Sequence, residues 1–257
     1  MRGAATLALD GALHKVGLMG TERSRAESRW PRRDLPAALV ALGAAAVLAF
    51  AVRGVALQTN DSGSLIFITA GYLAFWVPLI AAAIVVRNRK WDGRGRVRWT
   101  LKPIDLLWGF GAGLVLRVVA SGIEMLMRGS ATLPIMSVPI GVSDSQRILF
   151  AISLLVVPVL VAPVIEELFF RGTLLSSLLR TGASTVMRVM AVAVTTVLFA
   201  IPHALQASVV LDAGVNFVTT LVFGAGAGVL AVTTKRLGAP LLAHIAFNGA
   251  LALTVLV

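Results

Sequence analysis

Two adjacent glutamates, Glu166 and Glu167, lie within one of the most apolar stretches of this 257-residue chain. Arg171 follows Glu167 by four residues, so the two side chains share a face if the stretch is helical. Ionisable groups are costly at the depth of a lipid bilayer, and they usually face a protein interior or a water-filled cavity. We therefore take these three side chains as candidates for chemistry. The alternative is a buried ion pair between Glu167 and Arg171, which leaves Glu166 without a partner.

Two histidines lie in later apolar stretches, and each has a companion one helical turn away. Phe199 precedes His203 by four residues, and Asn248 follows His244 by four, so each pair shares a helical face. A single histidine in a membrane helix is usually a packing residue held by a hydrogen bond. Two histidines together with a glutamate pair are harder to explain in that way if all of them lie at the same depth.

The depth of these residues follows from the rise of an α-helix, about 1.5 Å per residue. Counted from the nearest basic loop, Glu166 lies about 21 Å and His203 about 22 Å along its helix. His244 lies about 13 Å and Asn248 about 20 Å from the basic pair that precedes them. The spacing predicts that three helices bring the four side chains to a similar depth inside the membrane.

A carboxylate and two neutral imidazoles support two related kinds of hydrolysis. Glu166, His203 and His244 could bind Zn²⁺ as a His₂Glu set with an open position for water. Alternatively, Glu166 could act as a general base on a water held by an imidazole, with Asn248 polarising the scissile carbonyl. Both predict cleavage of an amide bond within the membrane. The chain has no cysteine, no H-E-x-x-H and no G-x-S-x-G, which argues against three common protease classes.

The composition is that of an integral membrane protein. Hydrophobic residues make up 58% of the chain and charged residues 14%, whereas soluble domains have about 45–50% and about 25%. The mean hydropathy is +0.89. The formal net charge of +11 does not indicate nucleic acid, because the basic residues cluster in short segments between apolar runs, as expected of cytoplasmic loops. Trp91 and Trp99 in one of these segments are typical of membrane-interface anchors. We expect a lipid bilayer around the chain and no nucleic-acid partner.

The apolar runs predict an all-α, polytopic bundle of about seven transmembrane helices in one transmembrane domain, residues 35–257. The expected helices cover about 36–57, 64–86, 104–127, 148–180, 186–205, 208–234 and a last stretch from residue 238 onward. Two prolines interrupt the fourth run, at Pro158 and Pro163, and could break its helix.

Two features of these runs predict helix packing rather than chemistry. Arg117 and Glu124 are seven residues apart on one face of the third run, which favours a structural ion pair. Small residues let membrane helices approach closely, and glycines recur at alternate positions in the third and sixth runs. They are Gly109, Gly111 and Gly113, and Gly224, Gly226 and Gly228.

The basic residues give the expected orientation in the membrane. Residues 1–34 and the loop 87–102 carry seven lysines and arginines each, and they lie on the same side of the predicted bundle. The positive-inside rule then puts the N-terminus in the cytoplasm of a multi-pass protein of the cell (plasma or inner) membrane. We expect residues 1–34 to form a disordered cytoplasmic tail, and Arg53 to extend to the interface from the end of the first helix.

Three motifs in the second half of the chain resemble those of one protease family. Its first motif, E-E-x-x-x-R, matches Glu166, Glu167 and Arg171, and its second, F-x-x-x-H, matches Phe199 and His203. The third, H-x-x-x-N, matches His244 and Asn248. The chain thus resembles the CAAX prenyl protease and bacteriocin-processing (CPBP) family of intramembrane proteases, also called the abortive-infection family. The resemblance covers about 148–257, and the first three helices do not contribute to it.

The resemblance implies an intramembrane endopeptidase that acts on a membrane-embedded or lipidated protein or peptide. It implies that Glu166 activates a water with His203, and that His244 and Asn248 form the oxyanion site. Glu167 and Arg171 would orient the first of these helices. Both a zinc-dependent mechanism and a glutamate-type, metal-free mechanism are compatible with the family. Neither the prenylation nor the identity of the substrate follows from the motifs.

Two other functions compete with proteolysis. A non-catalytic membrane scaffold or bacteriocin self-immunity factor would keep the fold and bind a partner, and loss of a motif residue would favour it. The chain lacks none of them. A proton-coupled transporter could use Glu166, His203 and Arg117 as a relay. An inverted repeat would favour that function, and the sequence shows none.

Overall fold

Seven helices form the part of the chain that the computed structural model describes, which is residues 34–59, 64–87, 96–129, 143–180 and 184–256. The helices are α1 (Asp34–Gln58), α2 (Leu65–Arg87), α3 (Pro103–Arg128), α4 (Asp144 to Leu179, in five segments), α5 (Thr185–Leu205), α6 (Val210–Thr234) and α7 (Gly238–Leu256). Six of them are long and apolar enough to cross a membrane, and α7 adds a shorter apolar helix. The predicted all-α bundle of about seven helices is confirmed. The expected N-terminal tail lies outside the described residues except for Asp34, which begins α1.

The fourth helix alternates between two hydrogen-bond patterns. Its α-helical segments are Asp144–Ala151, Ala162–Phe169 and Ser176–Leu179, and its π-helical segments are Ile152–Val161 and Phe170–Leu175. In a π-helix each N–H reaches the carbonyl five residues earlier, as the Ala162 N–H does with the Val157 carbonyl. Pro158 and Pro163 therefore do not end the helix. Pro158 lies within the first π-helical segment, and Pro163 lies at the change from π to α geometry, three residues before Glu166.

The fourth helix occupies the centre of the bundle and contacts α1, α2, α5, α6 and α7. The outer helices pack mainly in pairs, α1 on α2, α5 on α6 and α3 on α7. The face of α3 toward α7 also carries the expected ion pair, with Arg117 Nη2 2.6 Å from Glu124 Oε1. The guanidinium of Arg117 lies over the ring of Phe247 on α7, 4.9 Å from its centroid.

Two of the predicted glycines allow α3 to approach α7 closely. A Cβ added at Gly109 would lie 2.6 Å from the Cβ of Leu242, and one at Gly113 would lie 2.8 Å from the Cβ of Ala246. An added Cβ at Gly111 would meet nothing within 4 Å. The glycines of α6 face α5 and α3 in the same way. Their nearest contacts are Thr196 for Gly224, Leu116 for Gly226 and Val192 for Gly228.

This difference along α3 gives a test of the packing. We expect Gly113→Ala to lower the free energy of unfolding by about 1–3 kcal/mol, because the new methyl group overpacks the contact with α7. Gly111→Ala makes the same chemical change on the same helix and should alter that free energy by no more than about 0.5 kcal/mol. Unfolding of both proteins in detergent measures the two effects, and equal losses would contradict this account of the interface.

The start of α7 lies inside the protein rather than at its surface. Leu237 and Ala239 are buried, and the backbone N–H of Leu237 donates to the carbonyl of Arg98 at 2.9 Å. The side chain of Arg236 binds the buried carboxylate of Asp105 at 2.8 and 2.9 Å. These hydrogen bonds raise the pKa of the Arg236 guanidinium. The segment that links α2 to α3 and the first turn of α3 thus hold the start of α7 in place.

Two arginines, Arg53 and Arg128, connect helices at the opposite end of the bundle. Arg53, near the end of α1, donates from its guanidinium to the carbonyls of Leu205 and Ala207 at 2.6 and 3.2 Å. Its extension to the membrane interface stays a prediction. The last carbonyls of a helix lack intrahelical partners and attract cations, so the end of α5 is a favourable place for this side chain. Arg128 joins α3 to α6 through Asp212, at 2.6 Å.

Candidate active site

The three sequence motifs meet at the carboxylate of Glu166. Its Oε2 lies 3.9 Å from Nε2 of His203 on α5 and 3.8 Å from Nε2 of His244 on α7. The glutamate is buried, with only 9% of its side chain exposed. The expectation that three helices bring Glu166, His203 and His244 close together is therefore confirmed.

The depth estimate predicted this meeting, although it placed His244 about 9 Å nearer to its basic residues than His203 is to its own. His203 lies two residues before the end of α5, whereas His244 lies in the second turn of α7. The two can meet because α7 begins inside the protein, which brings its second turn to the depth of the site. The internal start of α7 could not be foreseen from the basic residues that precede it.

The gaps around Glu166 are of the size that one water molecule bridges. Direct hydrogen bonds between nitrogen and oxygen measure about 2.7–3.2 Å, so separations of 3.8 and 3.9 Å are too long for contact. Polar groups separated in this way are often joined by a water. The same oxygen of Glu166 faces both imidazoles, so one water could interact with the carboxylate and with either ring.

The orientation of each imidazole is fixed by its other nitrogen. His203 Nδ1 lies 2.9 Å from the carbonyl oxygen of Phe199, and His244 Nδ1 lies 3.1 Å from Oε1 of Glu167. A carbonyl and an ionised carboxylate only accept hydrogen bonds, so the network assigns the proton to Nδ1 in both rings. In the neutral rings, Nε2 then has a free lone pair directed toward Glu166.

Arg171 connects the helices around the site. Its Nη1 lies 2.8 Å from Oε1 of Glu167, which confirms the expected contact one turn apart. Its Nη2 donates to the carbonyl of Gly224 on α6 at 3.2 Å, and its guanidinium lies 4.6 Å from the ring centroid of Phe199 on α5. Oε1 of Glu167 therefore accepts from both Arg171 and His244, which joins α4 to α7.

Aromatic rings enclose the buried side of this network. The ring of Phe223 lies 4.4 Å from that of His244, and the ring of Phe199 lies 4.7 Å from that of His203. Phe170 packs edge-on against Phe199. Rings on this side keep water from the Glu167–Arg171 pair, whereas the side chain of His203 is 29% exposed. His203 is thus the more open of the two imidazoles that face Glu166.

The side chain of Asn248 has a different partner from the one expected. Its Nδ2 donates to the carbonyl of Pro158 on α4 at 2.8 Å. An amide carries two N–H groups, so one of them remains for another acceptor. Asn248 therefore links α7 to α4, and its proposed contact with a scissile carbonyl stays a prediction.

Two residues of α2 reach the site although no sequence motif indicated them. The side chain of Trp76 is buried and lies close enough to the carboxyl of Glu166 to interact with it. Tyr72 lies one turn earlier, and its ring stacks on that of Trp76 with 4.7 Å between centroids. The available signal was that Tyr72 is the chain's one tyrosine and lies in an apolar helix four residues before a tryptophan.

Glu166, His203 and His244 are also the ligand set expected for Zn²⁺. Zinc bonds of about 2.0–2.2 Å in a tetrahedron put neighbouring donors about 3.3 Å apart, whereas the carboxylate oxygen lies 3.8 and 3.9 Å from the imidazoles. Within the described residues, no group of three or more His, Cys, Asp or Glu side chains is arranged to hold a metal ion. The donor types suit zinc, but their spacing does not. Zinc stays a prediction, which the metal content of the purified protein tests.

Comparison with known families identifies the part of the chain that carries this site. Residues 148–250 match the family model described as Type II CAAX prenyl endopeptidase Rce1-like, a protease family. The match spans α4 to α7 and includes Glu166, His203, His244 and Asn248. Searches of curated proteins and of solved structures found no match. Residues 148–250 are therefore similar to the Rce1-like type II CAAX prenyl endopeptidases, which is consistent with the CPBP family that the motifs indicated.

Proposed function

We propose that the chain is an intramembrane endopeptidase that hydrolyses a peptide bond near the membrane in a membrane-embedded or lipidated protein or peptide. The observation that carries this proposal is the convergence of two Nε2 lone pairs on one oxygen of a buried glutamate, across gaps of 3.8 and 3.9 Å. Water is activated for hydrolysis when a general base, here Glu166, and a hydrogen-bond acceptor, here His203, lie on either side of a space that fits one water molecule.

In the proposed reaction, a water lies between Glu166 and His203 and donates to both. Glu166 takes one proton as the water oxygen bonds to the carbonyl carbon of the substrate, which gives a tetrahedral intermediate. Collapse of the intermediate breaks the carbon–nitrogen bond, and the proton passes from Glu166 to the departing amine. The first products are a carboxylic acid, which keeps the second proton of the water, and an amine; transfer of that proton to the amine gives a carboxylate and an ammonium group. No metal is needed to balance these steps.

We assign the stabilisation of the oxyanion to Asn248 and His244. The second N–H of the Asn248 amide can donate to the developing charge, while the first holds the carbonyl of Pro158. His244 can donate from Nε2 only when the ring carries a second proton. The carboxylate of Glu167, 3.1 Å from Nδ1, would orient and stabilise that imidazolium, as the buried aspartate does for histidine in serine proteases.

The substrate class follows from the surroundings of the site. Glu166 and His203 lie within helices long and apolar enough to cross a membrane, and His244 lies within a shorter apolar helix. A soluble peptide would therefore have to leave water to reach them. A substrate that is already anchored in the bilayer, by a helix or by a lipid, avoids that cost. The family match supports a protein substrate associated with a membrane.

A comparison of membrane proteomes tests the proposed function. We expect cells that make the Glu166→Gln protein to accumulate at least one uncleaved membrane precursor that cells with the wild-type protein process. Peptides that span the cleavage site would identify both the substrate and the bond. Matched abundance of the two proteins is the control. Identical proteomes under conditions in which the protein is made would contradict an endopeptidase and favour the scaffold function.

A further inference from the structure

Pro158 leaves one backbone carbonyl of α4 without its helical partner. In the π-helical segment Ile152–Val161, the carbonyl of Ser153 would accept from the N–H five residues later. That residue is Pro158, which has no N–H. The hydroxyl of Tyr72 donates to the Ser153 carbonyl at 3.3 Å, so a side chain of α2 supplies the missing donor.

Pro163 repeats the arrangement one π-turn later. It follows Pro158 by five residues, so it removes the N–H that the Pro158 carbonyl would bind in the same pattern. The Ala162 N–H, directly before it, bonds the Val157 carbonyl and so confirms this spacing of five. The amide of Asn248 donates to the Pro158 carbonyl at 2.8 Å. Each proline thus frees one carbonyl, and a different helix satisfies each of them.

We propose that Tyr72 and Asn248 are positioning residues that maintain the π-helical segment and thereby fix the direction of Glu166. This inference rests on the proposed function, since it assigns a role to Tyr72 in the same site. Glu166 lies three residues after Pro163, so the geometry of the segment sets the course of the helix that presents the carboxylate. If an α-helix replaced the π-helical segment, each residue of shift in the hydrogen-bond register would rotate Glu166 by about 100° around the helix axis.

The position of Tyr72 on α2 gives this role a second link to the site. Trp76 lies one turn later on the same face, stacks on Tyr72, and interacts with the carboxyl of Glu166. The two side chains therefore hold α4 at two points, the start of the π-helical segment and the carboxylate itself. This explains why helices outside the matched domain are part of the site.

A double-mutant cycle tests the inference. Tyr72→Phe keeps the ring and its stacking on Trp76 but removes the hydroxyl. We expect it to lower kcat by up to about tenfold, the loss typical of one hydrogen bond, with little change in KM. Pro158→Ala restores an N–H that can bind the Ser153 carbonyl. In the Pro158→Ala protein, Tyr72→Phe should therefore have little further effect on kcat or on the thermal unfolding temperature.

The thermal unfolding temperatures of the four proteins give a measure that is independent of activity. The inference is overturned if Tyr72→Phe leaves kcat unchanged. It is also overturned if Tyr72→Phe changes kcat and the thermal unfolding temperature by the same amounts in the wild-type and in the Pro158→Ala proteins. Retention of full proteolysis by Glu166→Gln would instead refute the proposed function, and the stability cycle would still report on the helix. In the same way, Pro163→Ala should restore the stability lost in Asn248→Ala, and absence of that rescue would contradict the role of Asn248.

Discussion

The replacement Glu166→Gln is expected to abolish proteolysis and leave the fold intact. Glutamine has the size of glutamate and its amide oxygen can still accept a hydrogen bond, but it cannot act as a base that takes a proton from water. General bases contribute about 10²–10⁴-fold to the rate, so kcat/KM should fall by at least about 10²-fold. The measurement is cleavage of the precursor found in the proteome comparison, with purified wild-type and variant proteins.

Glu167→Gln is the matched control, because it makes the same chemical change one residue away. Glu167 accepts from both Arg171 and His244, so loss of its charge leaves a buried guanidinium without a counter-ion. We expect a lower thermal unfolding temperature for Glu167→Gln and a temperature close to that of the wild type for Glu166→Gln. Wild-type turnover by the Glu166→Gln protein would rule out Glu166 as the base.

Arg171→Ala is expected to cause the largest loss of stability among single substitutions at the site. Breaking a buried ion pair by removing one partner typically costs about 3–5 kcal/mol, because the other charge stays buried without compensation. Here the remaining charge is Glu167, which is 1% exposed, and its Oε2 already lacks a hydrogen-bond partner among the described residues. The substitution also removes the contacts with Gly224 and Phe199. Chemical unfolding in detergent gives the free-energy difference.

Arg128→Ala provides the comparison for this effect. Arg128 also joins two helices through a short ion pair, 2.6 Å from Asp212, but the two side chains are 21% and 41% exposed. Exposed pairs contribute only about 0–1 kcal/mol, so this variant should unfold almost as the wild type does. If both substitutions cost the same, burial of charge is not what makes Arg171 important.

The helical architecture could be predicted because each transmembrane helix is a long apolar run bounded by polar or basic residues. The expected ends of α1, α2, α3, α5 and α6 differ from the observed ones by no more than about two residues, the usual uncertainty of helix ends. The π-helical segments could not be predicted in this way. They differ from an α-helix by which carbonyl each N–H reaches, and hydropathy does not depend on that choice.

The candidate site was predictable in part for a similar reason. Spacings of four residues fix which side chains share a face, so the motifs identified Glu166, His203 and His244, which the structure brings together. The partner of Asn248 was not predictable, because it depends on a carbonyl that is free only in the π-helical pattern. Tyr72 and Trp76 were missed because they contact α4 from a helix with no recognised motif.

The internal start of α7 means that the matched segment is not a self-sufficient module. Its last helix is held by Arg98 and Asp105, which precede the segment, and the glycine-lined face of α3 covers one side of it. A transplanted segment 148–250 would lose the anchors that set the depth of His244. A chimaera that carries this segment must therefore include α3 as well, or an equivalent support for the last helix.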